Sequence, residues 1–245
     1  MCAVTEWRLA FVLPLCCVLA LSLATPLAAE DPDSPDLATL EGGDKVHALL
    51  DQVVASQRAL TSLKADFVQV KRSSLLLDVV ESRGDFAYLA PDNVRWDYVE
   101  PDPMVVLFAA DLLTTYHPEQ QRAETVKLNR RHRRFVRVLA GTQPLDELSA
   151  QFSIALADPG EDAPYRLTLR PTHSVLKKRL SSVILEVDRK LLLPIVVEYH
   201  ETDGDSTRYE FRNLEPNPEL DPSLFRLDLG DEVRVDTIDA SAGTD

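Results

Sequence analysis

The spacing of apolar residues changes several times along this chain, and each change marks a different element. From Val46 onward the apolar positions Val46, Leu49, Leu50, Val53, Val54 and Leu60 recur at intervals of three and four. That spacing gives a helix one buried face. It predicts an amphipathic helix over 45–61, capped by Asp44, with Lys45, Asp51, Gln52 and Arg58 on the wet side. Beyond it the pattern becomes short β-favouring runs parted by turn residues. Strands are predicted near 63–71, 75–82, 84–90, 93–99, 104–109, 112–117 and 121–128, then near 151–157, 164–170, 180–187, 194–201 and 206–213. Asp203-Gly204 between two alternating runs is a hairpin signal. No helices alternate with these strands, so the expected class is mainly β (α+β) with an antiparallel sheet of meander neighbours. An insert interrupts the sheet: 132–140 has helical propensity and ends at Gly141, and Pro144 opens a second short helical stretch, 144–150. Phe135, Val136, Val138, Leu139, Leu145 and Leu148 give this insert an apolar side that could lie across a sheet and close it.

The ends of the chain follow other rules. Arg8 precedes an apolar run from Leu9 to Leu23, and Thr25-Pro26-Leu27-Ala28-Ala29 then leads into the acidic Glu30-Asp31-Pro32-Asp33. A basic residue, an apolar core of about fifteen residues and small residues before a polar start describe a secretory signal peptide, 1–29, cut near Ala29. The run is short for a spanning helix, which needs about twenty apolar residues. Export to the periplasm is the expected destination. Residues 30–43, rich in Asp, Pro and Gly, are expected to be a flexible leader, 44–238 a single domain and 239–245 a flexible tail.

Composition narrows the chemistry. Cys2, Cys16 and Cys17 all fall inside the signal segment. A mature chain without cysteine has no disulfides, thiolate metal sites or cysteine nucleophile. The 26 basic and 40 acidic residues leave a net charge of −14, which argues against nucleic acid and anionic membrane surfaces as bulk electrostatic partners. No Gly-x-Ser-x-Gly elbow, phosphate loop or dinucleotide fingerprint is present. His47, His117, His132, His173 and His200 never fall at metal-ligand spacing. Neither an enzyme activity nor a cofactor or metal is expected. The sharpest charge feature is the basic run Arg130, Arg131, Arg133 and Arg134 around His132. It suits a solvated helix start, or an electropositive contact for an acidic partner or a lipid headgroup region.

Three blocks then resemble a known family. Lys64-Ala65-Asp66-Phe67-Val68-Gln69 is similar to the segment that follows the first helix in LolA-type periplasmic lipoprotein carriers. Gly84-Asp85-Phe86, then Pro91-Asp92-Asn93-Val94-Arg95-Trp96-Asp97-Tyr98 and Pro101, resembles the family's glycine, proline and Arg-Trp block. Leu220-Asp221-Pro222-Ser223-Leu224-Phe225-Arg226-Leu227, with Val233 and Val235, resembles its C-terminal pattern. The resemblance runs from about 44 to 236 in the family's order. It implies an incomplete antiparallel β-barrel of about eleven strands around an apolar cavity, with helices as a lid. It also implies lipoprotein acyl chains as cargo, an inner-membrane ABC transporter as donor and an outer-membrane acceptor. The family's arginine before the proline, which ties the lid shut, is Ala90 here, and Arg95 becomes the candidate for a lid or headgroup contact.

Alternation supplies cavity candidates independently of the family: Phe86 and Tyr88; Val94, Trp96 and Tyr98; Val106 and Phe108; Ile195, Val197 and Tyr199. Lid candidates are Phe135, Val138, Leu139, Leu145 and Leu148. A strand face lining a pocket and one covered by a helix look identical in sequence, so core packing stands as the alternative reading. A monomeric carrier of lipoprotein acyl chains or a related lipid, moving cargo from inner to outer membrane, is the expected function. A periplasmic lipid sensor or regulator built on the same fold is the alternative.

Overall fold

The computed structural model describes residues 35–73, 79–127 and 151–239. The helix predicted from three-four spacing is α1, Gly42–Ala59, and its buried residues are Ala48, Leu49, Val53 and Val54. It begins earlier than its apolar pattern does. Asp44 lies in the first turn, where a carboxylate favours the exposed N–H groups of the helix end, and Glu41 holds the cap position without a side-chain hydrogen bond. Part of the stretch read as a leader also packs: Leu37 is buried in the core, and Leu40 lies against it.

Among the described residues, twelve strands form one sheet: β1 Ser62–Arg72, β2 Val80–Leu89, β3 Asn93–Glu100, β4 Met104–Ala109, β5 Leu112–His117, β6 Arg122–Lys127, β7 Phe152–Ala157, β8 Tyr165–Pro171, β9 Leu180–Val187, β10 Pro194–Glu201, β11 Ser206–Pro216 and β12 Arg234–Asp239. A short helix α2, Ser174–Lys177, lies between β8 and β9. The spatial order is β12-β6-β5-β4-β3-β2-β1-β11-β10-β9-β8-β7. Two meanders are therefore joined through β1 and β11, antiparallel, with Phe67 opposite Phe211. The barrel is incomplete, because among the described residues β12 and β7 are edges and do not pair with each other.

Two features of the sheet depart from the sequence reading. Gly84 reads in the sequence as the start of a new strand, but it lies within β2, opposite Phe67 of β1 and Tyr98 of β3. A side chain there would run into the Asp97 carbonyl and would approach the Phe67 ring edge to 3.0 Å. The glycine marks a close approach of strands, not a turn. The second departure is β12, an unanticipated strand that pairs parallel with β6 in an otherwise antiparallel sheet.

β12 is reached by a strap, residues 217–233, that crosses the outer face. Asn217 Oδ1 accepts from Thr61 N at 2.7 Å, and Ser62 Oγ donates to the Pro218 carbonyl at 2.6 Å. A 3₁₀ turn, Pro222–Phe225, is capped by Asp221 and packs on β3 and β4. Phe225 is buried, as is Leu107 of β4; both lie apart from the main core. Farther round the outer face, Arg166, Glu186, Arg208 and Glu198 form a ladder of ion pairs across β8 to β11, and His200 lies 3.1 Å from Glu198.

Candidate functional site

The inner face of the sheet is the candidate site, and alternation builds it. Phe67 on β1, Phe86 on β2, Trp96 and Tyr98 on β3, and Tyr209 and Phe211 on β11 all point to this side and meet. Trp96 is the hub: its ring lies 4.8 Å from Phe67, 4.7 Å from Phe86, 5.0 Å from Tyr209 and 5.6 Å from Phe211, centroid to centroid. β3 and β11 are separated by β2 and β1. In a flat sheet three strand spacings amount to about 14 Å. Contact between Trp96 and Tyr209 therefore requires strong curling, which makes this face concave.

The aromatic side of the concavity carries hydroxyls. Gln69 Nε2 donates to Tyr209 Oη at 2.7 Å, and the Tyr98 phenol lies within electrostatic reach of the Tyr209 phenol. Burial raises the Tyr98, Tyr199 and Tyr209 phenols above their ordinary range, because a phenolate has little solvation there. The other side, from β8 to β10, is mainly aliphatic: Leu167, Leu169, Val183, Leu185, Val187 and Val197 are buried, alongside the rings of Tyr165 and Tyr199. The helix residues Leu49 and Val53 join both groups in one contiguous core.

The N-terminal end of α1 is clasped to the sheet. Lys45 Nζ lies 2.6 Å from Asp158, which also pairs with Arg189. Arg189 donates from Nε to the Ala163 carbonyl at 2.6 Å, and its guanidinium lies 4.0 Å from the centre of the Tyr165 ring. Hydrogen bonds from Lys45 and Arg189 hold the Asp158 carboxyl down at about 2.

Of the residues singled out by alternation, Phe86, Tyr88, Val94, Trp96, Tyr98, Phe108, Val197 and Tyr199 are buried on this face, and Val106 packs against them. Ile195 is half-buried in a bulge between Pro194 and Val196. A bulge interrupts the period of two, and Ile195 lies outside the contiguous core. Arg95 lies on the opposite face: its Nε and Nη2 donate to the Asp97 carboxylate at 2.7 Å and its Nη1 to the Leu224 carbonyl at 2.7 Å. The lid candidates Phe135, Val138, Leu139, Leu145 and Leu148 and the basic residues Arg130, Arg131, Arg133 and Arg134 fall outside the described residues. Sequence reasoning passed over Tyr209 and Phe211. A signal was present, because the Asp203-Gly204 turn fixes the register that sets Tyr209 opposite Val197. Among the described residues, no three His, Cys, Asp or Glu side chains gather as a metal site, and no helix is long and apolar enough to cross a membrane.

Comparison with known proteins adds the following. The sequence model of the family described as outer membrane lipoprotein carrier protein LolA matches residues 58–228. An outer-membrane lipoprotein carrier protein of Alkalilimnicola ehrlichii is 27% identical over 237 residues, which is 96% of this chain and 97% of that one. Among solved structures, MucB superposes with a TM-score of 0.51 at 13% identity, covering 79% of this chain and 66% of its own, so this chain spans about two thirds of MucB. An uncharacterized conserved protein from Thermus thermophilus reaches a TM-score of 0.50 at 11% identity, covering 79% of this chain and 99% of that one. At such identities the structural likenesses speak for the fold alone.

Proposed function

We propose a lipid-carrying role from this premise: the chain belongs to the LolA family, the outer membrane lipoprotein carrier proteins. The observation that carries the proposal is the concave apolar face centred on Trp96. An acyl chain needs such a surface and no catalytic group. About ten buried methylenes are worth about 8 kcal/mol, before the contacts they displace are counted. That subtraction matters here, because Leu49 and Val53 of α1 and the inward rings already cover one another. Loading is then an exchange in which acyl contacts replace helix and ring contacts, so uptake and release stay close in free energy.

The N-terminal segment 1–29 and the strongly acidic composition support a signal peptide cut near Ala29 and a carrier free in the periplasm. The cargo is the acyl part of a lipoprotein or a related lipid, taken at the inner membrane and given up at the outer one. Native mass spectrometry of protein purified without detergent is the direct test, and a retained lipid or lipopeptide is expected. Protein that retains none, and fails to bind an environment-sensitive fatty-acid probe at micromolar concentration, would sink the proposal. A lipid sensor on the same fold would retain lipid too. It would not move a fluorescent lipopeptide from donor to acceptor vesicles, whereas a carrier does.

A further inference from the structure

An apolar face that serves only to hold hydrocarbon has no use for buried hydroxyls, yet this one gathers them at the aromatic side. Gln69 from β1, Tyr98 from β3 and Tyr209 from β11 meet among the rings of Phe67 and Trp96. Their hydrogen bonds do not balance. The Gln69 amide donates to Tyr209 Oη, and the Tyr98 and Tyr209 phenols lie close enough to influence each other. Two phenols carry two protons, and a bond between them can use only one. Whichever phenol donates, the proton of the other engages no acceptor among the described residues. A buried donor without an acceptor is costly, and the cost disappears when a guest brings an acceptor.

We infer that Gln69, Tyr98 and Tyr209 form a carbonyl-binding station, where the spare phenolic proton donates to the acyl ester carbonyl of a bound lipid and sets the depth of its chains. The inference rests on the lipid-carrier reading above and specifies the chemistry of the same face. Three chemical facts select the neutral ester. A hydrocarbon chain offers no acceptor. A free carboxylate brings a full charge to a place where no cation is among the groups that meet, and the raised phenols show how poorly that place supports negative charge. An ester carbonyl accepts without donating, which is the complement the described residues lack.

The test uses two lipids with the same chains: a diacylglycerol labelled with ¹³C at both ester carbonyls, and the dialkyl ether that lacks them. Purified protein should take up both, with a threefold to tenfold preference for the ester, the range one net hydrogen bond provides. The infrared carbonyl band of the bound ester should lie at the lower frequency of a hydrogen-bonded carbonyl. In the double variant Tyr98→Phe, Tyr209→Phe the band of whatever ester is bound should move to the frequency of a dry ester, and the preference should vanish. Equal affinity for ester and ether in the wild type, with a dry carbonyl band, overturns the station while leaving the carrier reading intact. That comparison needs no variant, so it decides the matter even if the double variant fails to fold. No uptake of either lipid overturns the carrier reading, and the station with it.

Discussion

The two sides of the concave face are built differently, although one sheet provides both. On the β8–β10 side, Leu167, Val187 and Val197 are wholly buried aliphatic residues, and the nearby end of α1 is fixed by Lys45, Asp158 and Arg189. On the side formed by β1, β2, β3 and β11, rings meet edge-on around Trp96 and polar atoms lie among them. Aliphatic side chains interlock at close to crystal density and tolerate little change. Rings and hydroxyls offer flat surfaces and hydrogen bonds that a guest can share. One side anchors the helix, and the other is suited to exchange.

The comparison can be broken by mutation. Leu167→Ala should cost about 2–5 kcal/mol of stability, the range for a leucine deleted from a tight core, as read by urea unfolding, while fatty-acid probe affinity of the folded protein changes less than about twofold. Trp96→Leu should do the reverse. It loses several aromatic contacts, each worth about 0.5–1.5 kcal/mol, and probe affinity should fall about tenfold with the far-ultraviolet circular dichroism retained. If both variants damage binding equally, the two sides are one site.

Gly84→Ala sharpens the picture from within the aromatic side. The added methyl meets the Asp97 carbonyl and the Phe67 ring, and overpacking of this kind costs about 1–3 kcal/mol. A lower urea midpoint together with weakened probe binding is expected, and an unchanged midpoint would show that the strands can part there.

The clasp gives the smallest effects. Arg189→Ala should speed hydrogen exchange across 42–50 and hasten probe uptake. Asp158 has its folded value lowered from 3.8 to about 2, so its contribution is present above pH 4 and is lost as pH falls through about 2. The urea midpoint of wild type should therefore drop more steeply between pH 4 and 2 than that of Asp158→Asn. Parallel slopes would remove the clasp from the account.

Local rules made much of this legible. Three-four spacing located α1 because its buried face, Leu49 and Val53, is contiguous in sequence. Alternation put Trp96 and Tyr98 on one face because β3 is regular there. The failures share a cause: information held by another part of the chain. Gly84 resembles a turn until the Asp97 carbonyl beside it is known. β12, Arg-Val-Asp-Thr-Ile-Asp, has no clean alternation to mark it as a strand, and its parallel pairing with the remote β6 makes it one. The donor surplus of Gln69, Tyr98 and Tyr209 cannot be counted until three distant strands are brought together.

The junction of β1 with β11 has a consequence in time. Gln69 and Tyr209 are 140 positions apart and touch, so the strand at the middle of the sheet acquires its second neighbour only when the last quarter of the chain exists. Contacts this remote slow folding. A ribosome that has made α1, β1 and β2 has made a hairpin whose rings have nothing to enclose. For the export proposed above, such lateness is useful: the nascent protein stays threadable through a translocation pore and acquires its shape on the far side.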